Sequence, residues 1–515
     1  MSAEPEIVLR LRGITKRFGS LLANDAVSFD LRRGEIVGLL GENGAGKTTL
    51  MNILFGHYVA DEGTIEAFGQ PLPPGEPKAA LAAGIGMVHQ HFTLADNLSA
   101  ADNIILGTES LWRLRSSRAE ALARVRQLSA SFGLTVDPQA NVSALSVGER
   151  QRVEILKALY RHARVLILDE PTAVLTPQEA KGLFATLRSL VAQGLSVIFI
   201  SHKLYEVMEV SRRILVLRSG RLVAERDASK TTQAELADLM VGRPVAEPKR
   251  KPQDPGPVIA ELAGVSVMSE GKLLLDGIDI QLRSGEILGL AGVSGNGQNT
   301  LAGVLAGLYS PSAGKITLDG RPVARLSPRA AVRRGIARIP EDRHSQGLIA
   351  DMSVTENVIA ERYSEPPFSH NGLLDWNEAR EFANAIIHDY EVRCPSPQAL
   401  VRLLSGGNMQ KLLLGRVLSG NPRLIIANQP TRGLDIGAVA YVHGRLLAAR
   451  AAGAAILLIS EDLDEIISLA DRIAVAYRGR ISEPLMRAAA DIRTIGLMMS
   501  GHGFEMIKPE PGHAA

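Results

Sequence analysis

The chain holds one cysteine, Cys394, in 515 residues. That excludes an intramolecular disulfide and a cysteine-rich zinc site, and leaves a free thiol in a reducing compartment as the ordinary expectation. Aromatic residues are only 4% of the sequence although apolar residues reach 46%, so the cores must be built from aliphatic side chains. No apolar run approaches the ~18 residues needed to cross a bilayer, so work at a membrane would need spanning helices from other chains. Charge of one sign is not in excess either. The formal net charge is +2, which is not the electrostatic footprint of a nucleic-acid binder. The opening stretch MSAEPEIVLR is acidic and has no apolar core, so no secretory signal is expected.

What the chain has is a repeat. GITKRFGSLLANDAVSFDLRRGEIVGLLGENGAGKTTL, from Gly13, aligns without a gap on GVSVMSEGKLLLDGIDIQLRSGEILGLAGVSGNGQNTL, from Gly264. Further on, LSVGERQR matches LSGGNMQK, LILDEPT matches IIANQPT, and RRILVLRSG matches DRIAVAYRG. Repetition at this length means two homologous domains, not a solenoid. We expect domains at residues 6–243 and 258–503, a proline- and charge-rich linker at 244–257, and a tail at 504–515. A linker this short would hold the halves at a mutual concentration on the order of millimolar. Short β-branched runs such as EIVGLL, RVLILD and LSVIFIS alternate with helical stretches such as QEAKGLFATLRSLVAQG. This alternation predicts an α/β fold with a largely parallel sheet under helices.

The first half carries the parts of a phosphoryl-transfer site. GENGAGKT fits G-x-x-x-x-G-K-[ST] in full, with glycines that let backbone N–H groups converge on phosphate oxygens before a helix N-terminus. Gly41, Glu42, Asn43, Gly44, Ala45, Gly46, Lys47, Thr48 and Thr49 are the candidate nucleotide loop. Lys47 is placed to reach the β- and γ-phosphates and Thr48 to ligate Mg²⁺. VLILDEPT is an apolar strand ending in two carboxylates, a costly pairing unless a cation is near. Asp169 is the candidate metal ligand and Glu170 the group that orients or deprotonates water. His202 follows the next apolar strand and is a candidate partner of the γ-phosphate. Gln90, in MVHQHF, is a candidate for both metal and water.

LSVGERQR and LSGGNMQK are similar to the signature sequence of ATP-binding cassette (ABC) ATPases. With the loop, the carboxylate strand, Gln90 and His202, the resemblance covers nearly the whole chain. It implies two tandem P-loop cassettes, each with a mainly parallel core, an antiparallel β subdomain and a helical signature subdomain. It implies ATP and Mg²⁺ as cofactors, and adenine stacked on Phe18. It also implies a head-to-tail pair, in which ATP on one loop meets the signature of the other cassette. For the first loop those contacts would be Ser405, Gly406 and Gly407, with Asp435 from TRGLD.

The second half keeps the loop and loses its chemistry. Gln298 stands for Lys47, Asn299 for Thr48, Glu341 for Gln90, Asn428 and Gln429 for Asp169 and Glu170, Glu461 for His202, and Ser269 for Phe18. By side-chain charge this site is only one unit more negative than the first, so the loss of specific groups matters more than gross repulsion. The first half in turn has the altered signature LSVGE and puts Thr176 where Asp435 aligns. Decay is thereby confined to one composite site, and the other is intact across both halves.

The twin layout resembles bacterial importers of simple sugars and nucleosides. VHQHFTL, PTAVLTPQE, IPEDRHSQGL, QPTRGLDIGA and ISEDLDE lean to the nucleoside branch that works with basic-membrane-protein-type lipoproteins. The implied partners are two integral-membrane permease subunits, docking near Gln90 and HFTLADNLSAADNIILG, and indirectly an extracytoplasmic substrate-binding protein. The implied place is the cytoplasmic face of the inner membrane. A sugar importer is the alternative. A twin ABC protein of translation or repair is the other class, and the single competent site, the short linker and the lone cysteine speak against it.

Overall fold

A computed structural model describes residues 6–19, 21–89, 92–108, 118–172, 175, 177–242, 244 and 248–504. It divides into two compact units, residues 1–245 and 246–515. Among the described residues no helix is long and apolar enough to cross a membrane.

In the first unit the apolar runs become the strands Ile36–Leu40, Val165–Asp169 and Ser196–Ile200, buried at every residue. A strand buried on both faces has no polar alternation to keep, which is why these runs are continuous. The sheet order is Arg221–Asp227, Arg213–Arg218, Ile36–Leu40, Ser196–Ile200, Val165–Asp169, Ile85–Val88. Only Arg221–Asp227 pairs antiparallel. Asp169 lies opposite Ile200, so the carboxylate strand and the strand leading to His202 end side by side. The helix Pro177–Ala192 covers the sheet with Ala180, Leu183, Phe184, Leu187 and Leu190, one stripe at helical spacing. Burying each large side chain of that stripe contributes about 1.5–3 kcal/mol. A second, antiparallel sheet is formed by Leu21–Arg32, Ile7–Phe18, Glu62–Ala67 and Gln70–Pro71. The helices Ala100–Ile105, Arg118–Phe132 and Val147–Tyr160 pack together as a separate helical part.

The second unit repeats the plan. Its parallel strands run in the order Ile336–Ile339, Leu424–Asn428, Ala455–Ser460, Ile287–Ala291, Arg472–Tyr477, with the antiparallel sheet built on Val258–Ser269 and Lys272–Arg283. A buried ion pair recurs in both units, Arg213 with Glu35 and Arg472 with Glu286, each at the foot of the central strands.

Part of the joining segment is bonded to the second unit. Arg450, 2% exposed, donates to both carboxylate oxygens of Asp471 at 2.8 Å and to the Lys251 carbonyl at 2.9 Å. Asp471 also accepts from Arg250 and from the Ile287 amide. The stretch from Arg250 to Gln253 is thus fastened to the second unit. Composition alone did not reveal this, because the fastening residues lie about two hundred positions away. Breaking a buried pair strands a charge, at a cost of about 3–5 kcal/mol. Arg450→Ala should therefore lower the calorimetric transition of the second unit by on the order of 10 °C and leave that of the first in place. An unshifted second transition would contradict the fastening.

Candidate nucleotide site

The loop of the first unit closes on the helix Lys47–Phe55, whose N-cap is Gly46 at φ 98. A Cβ at Gly46 would come within 2.2 Å of the Ala23 carbonyl, so only glycine permits the turn. The Asn24 side chain, fully buried, donates to the Gly46 carbonyl at 3.1 Å and holds the loop from the neighbouring sheet. Leu275 fills the matching position in the second unit, so this support belongs to the first loop alone. Lys47 is buried, and its Nζ donates to the carbonyls of Gly41 and Glu42 at 2.7 and 3.0 Å. Burial pushes its pKa down, against the nearby carboxylates of Glu170, Asp169 and Glu42. Glu42, Gly46 and Thr49 are half-buried, Gly41 and Ala45 are buried, and Asn43, Gly44 and Thr48 face solvent.

At the strand end the two carboxylates are driven in opposite directions. Burial and the adjacent Glu170 raise the pKa of Asp169, against Lys47 and a 3.5 Å contact with the Thr48 hydroxyl. Burial also pushes Glu170 up, but the hydrogen bond and charge of His202, with Lys47 and Lys203, outweigh it and hold Glu170 below its usual range. His202 Nδ1 lies 2.9 Å from Glu170 Oε1. Glu170 sits at φ 47, an uncommon backbone for a side chain other than glycine or asparagine. Its amide donates to the Ile200 carbonyl, which fixes that turn against the next strand. Lys47, Thr48, Asp169, Glu170 and His202 are therefore brought together. Phe18 stands exposed at the edge of the antiparallel sheet, edge-on to Tyr58 at 5.6 Å and under Lys16. Gln90 and Thr176 lie outside the described residues.

The second unit's loop is satisfied from within. Gln298, buried, donates to the Val293 carbonyl at 3.0 Å, and Gly297 at φ 102 begins its helix as Gly46 does. Asn428 donates to Asn299 at 2.5 Å, Asn299 to Glu341 at 2.9 Å, and Arg432 pairs with Glu341. Amides occupy the positions that hydroxyl, carboxylates and a cation hold in the first unit, and an internal ion pair stands where that unit has Gln90 and Ala173. Arg432 has only Ala173 as its counterpart, so it cancels the extra negative unit counted from the aligned positions.

The two signature segments differ in the same sense. In the first unit Glu149 closes a capping box on Ser146, accepting from both its amide and its hydroxyl at 2.8 Å. The N-terminus of Val147–Tyr160 is thereby occupied by its own carboxylate. In the second unit Asn408 takes that position and donates to Ser405 Oγ at 2.8 Å. Ser405 makes no side-chain cap to the helix Gly406–Leu418. The Arg343 guanidinium stands beside this end: a Cβ at Gly406 would come within 2.9 Å of its Nη2. Arg343 also donates to the Arg432 carbonyl at 2.8 Å. A Cβ at Gly407 would lie 3.9 Å from Asp435, which caps the next helix through the Ala438 amide. One signature start thus carries an acidic group of its own and the other a basic one. Asn24, Glu149 and Arg343 were not singled out from the sequence. The LSVGE/LSGGN contrast was the only local signal among them.

Fold, loop and carboxylate strand define the first unit as a P-loop nucleotide-binding cassette, and the second unit repeats its fold and loop. The ABC transporter model matches residues 24–173 and 275–432. A nucleoside import ATP-binding protein of Lactococcus lactis subsp. cremoris is 42% identical over 498 residues, covering 96% of this chain and 98% of the relative. A ribose import ATP-binding protein of Rubrobacter xylanophilus is 40% identical over 509 residues, covering 94% and 95%. The crystal structure of an archaeal ribosome recycling factor with a ribosomal stalk protein matches 92% of this chain and 90% of its own at TM-score 0.62, with 17% identity, a likeness of fold alone. The chain belongs to the ABC transporter family. It binds nucleotide and is an ATPase, as the sequence motifs implied.

Proposed function

We propose that this ATPase drives the import of a nucleoside through separate membrane-spanning permease subunits, using one competent ATP site. The observation that carries the single-site reading is the contrast at the two strand ends. Asp169 and Glu170 gather beside Lys47, whereas Asn428 bonds to Asn299 and Gln429 accepts from the Glu461 amide. The two signature starts support the crossed assignment. Ser405, Gly406 and Gly407, with Arg343 near, offer an uncapped helix end to the triphosphate held by Lys47, and Asp435 sets the turn beside them. Glu149 denies the same end to any phosphate at the second loop.

The donor set fits Mg²⁺. Magnesium takes one or two protein oxygens and keeps water and phosphate as its other ligands. Thr48 and Asp169 supply such a pair, and the upward-shifted Asp169 gains from a cation. When bound, Mg²⁺ would neutralise charge on the phosphates. Lys47 would turn from the Gly41 and Glu42 carbonyls to the β- and γ-phosphates. Glu170, kept ionised by His202, would accept a proton from the attacking water, and His202 would orient toward the γ-phosphate. Gln90 would complete the metal and water contacts, and Phe18 would stack on adenine with Thr49 and the loop amides below.

Nucleoside rather than sugar is supported by the import ATP-binding relative named above and by the second loop itself. By family resemblance the sugar branch often carries arginine in the second loop and keeps the acidic pair on its strand, whereas Gln298, Asn428 and Gln429 stand here. On this reading two permease subunits and an extracytoplasmic binding protein complete the importer, and the chain sits at the cytoplasmic face of the membrane.

Lys47→Ala and Glu170→Gln should each lower steady-state ATP turnover by ~10²-fold or more, while Gln429→Ala should stay within about twofold of the parent chain. Comparable losses from all three would contradict a single competent site. Ser405→Arg should damage turnover far more than Ser146→Arg; equal damage would count against the crossed assignment. For the transported class, the chain copurified with its membrane partners and the binding protein should be stimulated by nucleosides over ribose. The reverse order would return the reading to sugars, and sedimentation with ribosomes instead of membranes would overturn transport altogether.

A further inference from the structure

One carboxyl group that the mechanism does not use is among the most deeply placed in the molecule. Glu206, 0% exposed, lies on the short helix Leu204–Val210, four residues after His202. Its Oε2 accepts from the Thr172 hydroxyl at 2.6 Å and from the Ser201 hydroxyl at 2.9 Å. Its Oε1 accepts from the Tyr205 hydroxyl at 3.3 Å and faces Lys203 Nζ at 3.6 Å. Ser201 also accepts from the Lys203 amide at 3.0 Å.

The two hydroxyls on Oε2 belong to different strand ends. Thr172 follows Glu170 by two residues, and Ser201 immediately precedes His202. A single oxygen therefore ties the segment carrying the water-activating carboxylate to the segment carrying the histidine. The Glu170 amide bond to the Ile200 carbonyl joins the two strand ends through the backbone, and the Glu206 bridge adds a side-chain tie beyond it, on which the 2.9 Å contact of the 43% exposed His202 side chain with Glu170 draws.

We propose that Glu206 is a positioning residue for ATP hydrolysis: it sets the distance between Glu170 and His202 through Thr172 and Ser201. This rests on the single-site reading above, since only the first unit has a catalytic pair to hold. The second unit supplies the comparison. Glu465, 4% exposed, accepts from Thr431 at 2.8 Å and lies 3.0 Å from His443 Nε2. Gln429 and Glu461 occupy the pair's positions there, with a 3.5 Å amide contact between them. Glu465 is thus bonded to one strand end only, its Oε2 having no partner among the described residues, and it lies beside positions that hold no catalytic pair.

The test uses the full chain and separates turnover from binding. A misplacement of about 1 Å can cost on the order of 10²-fold in rate. Glu206→Ala should lower kcat by about ten- to a hundredfold and leave the Kd of a non-hydrolysable ATP analogue within about twofold. Glu206→Gln, which keeps an acceptor oxygen, should retain kcat to within about threefold. Should Glu206→Ala fail to fold, Thr172→Val combined with Ser201→Ala removes the two donors at less cost, and the same selective loss of kcat is expected. Glu465→Ala should change kcat by less than about twofold. An unchanged kcat in Glu206→Ala, a parallel weakening of nucleotide binding, or an equal kcat loss in Glu465→Ala would each overturn the assignment. Glu170→Gln run alongside keeps the two ideas apart: its retained turnover would defeat the single-site reading, whereas its loss with an active Glu206→Ala would defeat only this inference.

Discussion

The structure of the first cassette turns on a charge arrangement that an apolar strand forces. Val165 to Leu168 are buried without exception, and the chain then places Asp169 and Glu170 at the edge of that dry sheet. Two carboxyls in such a place need cations or donors. The fold supplies Lys47 from the loop, Thr48 from the following helix and His202 from the neighbouring strand. Each of these is positioned by an element whose own reason for forming is ordinary burial. A glycine at φ 98 starts the loop helix, parallel register aligns the strand ends, and a buried glutamate links the turns. The nucleotide chemistry of the family follows from how that unfavourable grouping is balanced.

The second cassette shows the other resolution of the same geometry. The strand, the turn and the helix are all kept, but amides stand where the first unit has Lys47, Asp169 and Glu170, and an ion pair of Glu341 with Arg432 stands where it has Gln90 and Ala173. Removing one member of a buried charged set is destructive, whereas replacing the whole set by mutually satisfied groups is tolerated. Gln298, Asn299, Asn428, Glu341 and Arg432 have changed together in that sense. The loop keeps its turn, with Gln298 bonded to the Val293 carbonyl of the same loop. The signatures follow the same logic in reverse, with Glu149 closing one helix start and Asn408 and Arg343 leaving the other receptive.

Much of this was legible in the sequence because it is written locally. A phosphate loop, a carboxylate strand and a signature are contiguous strings, and their repetition doubles the signal. The parallel sheet was legible for the same reason, since a strand buried on both faces reads as an unbroken apolar run. Features that depend on distant partners were not. Glu341 meets Arg432 across ninety-one positions and Arg450 reaches Lys251 across one hundred and ninety-nine. The joining segment reads as a stiff tether from proline and charge, yet the buried Arg450–Asp471 pair turns part of it into a strap on the second unit. Glu206 was invisible for a different reason: a glutamate four residues after a histidine on a short helix has no composition signature. Only its burial and its three hydroxyl donors mark it out.

The crossed assignment can be read directly with a photoreactive group on the γ-phosphate of ATP, bound to the Glu170→Gln chain with Mg²⁺ and followed by peptide mapping of the label. Label should appear in the peptide spanning Leu404 to Lys411 and vanish when Lys47→Ala is added. Label on Leu145 to Arg152, or label at Leu404–Lys411 that persists without Lys47, would contradict a first-cassette ATP lidded by the second cassette's signature.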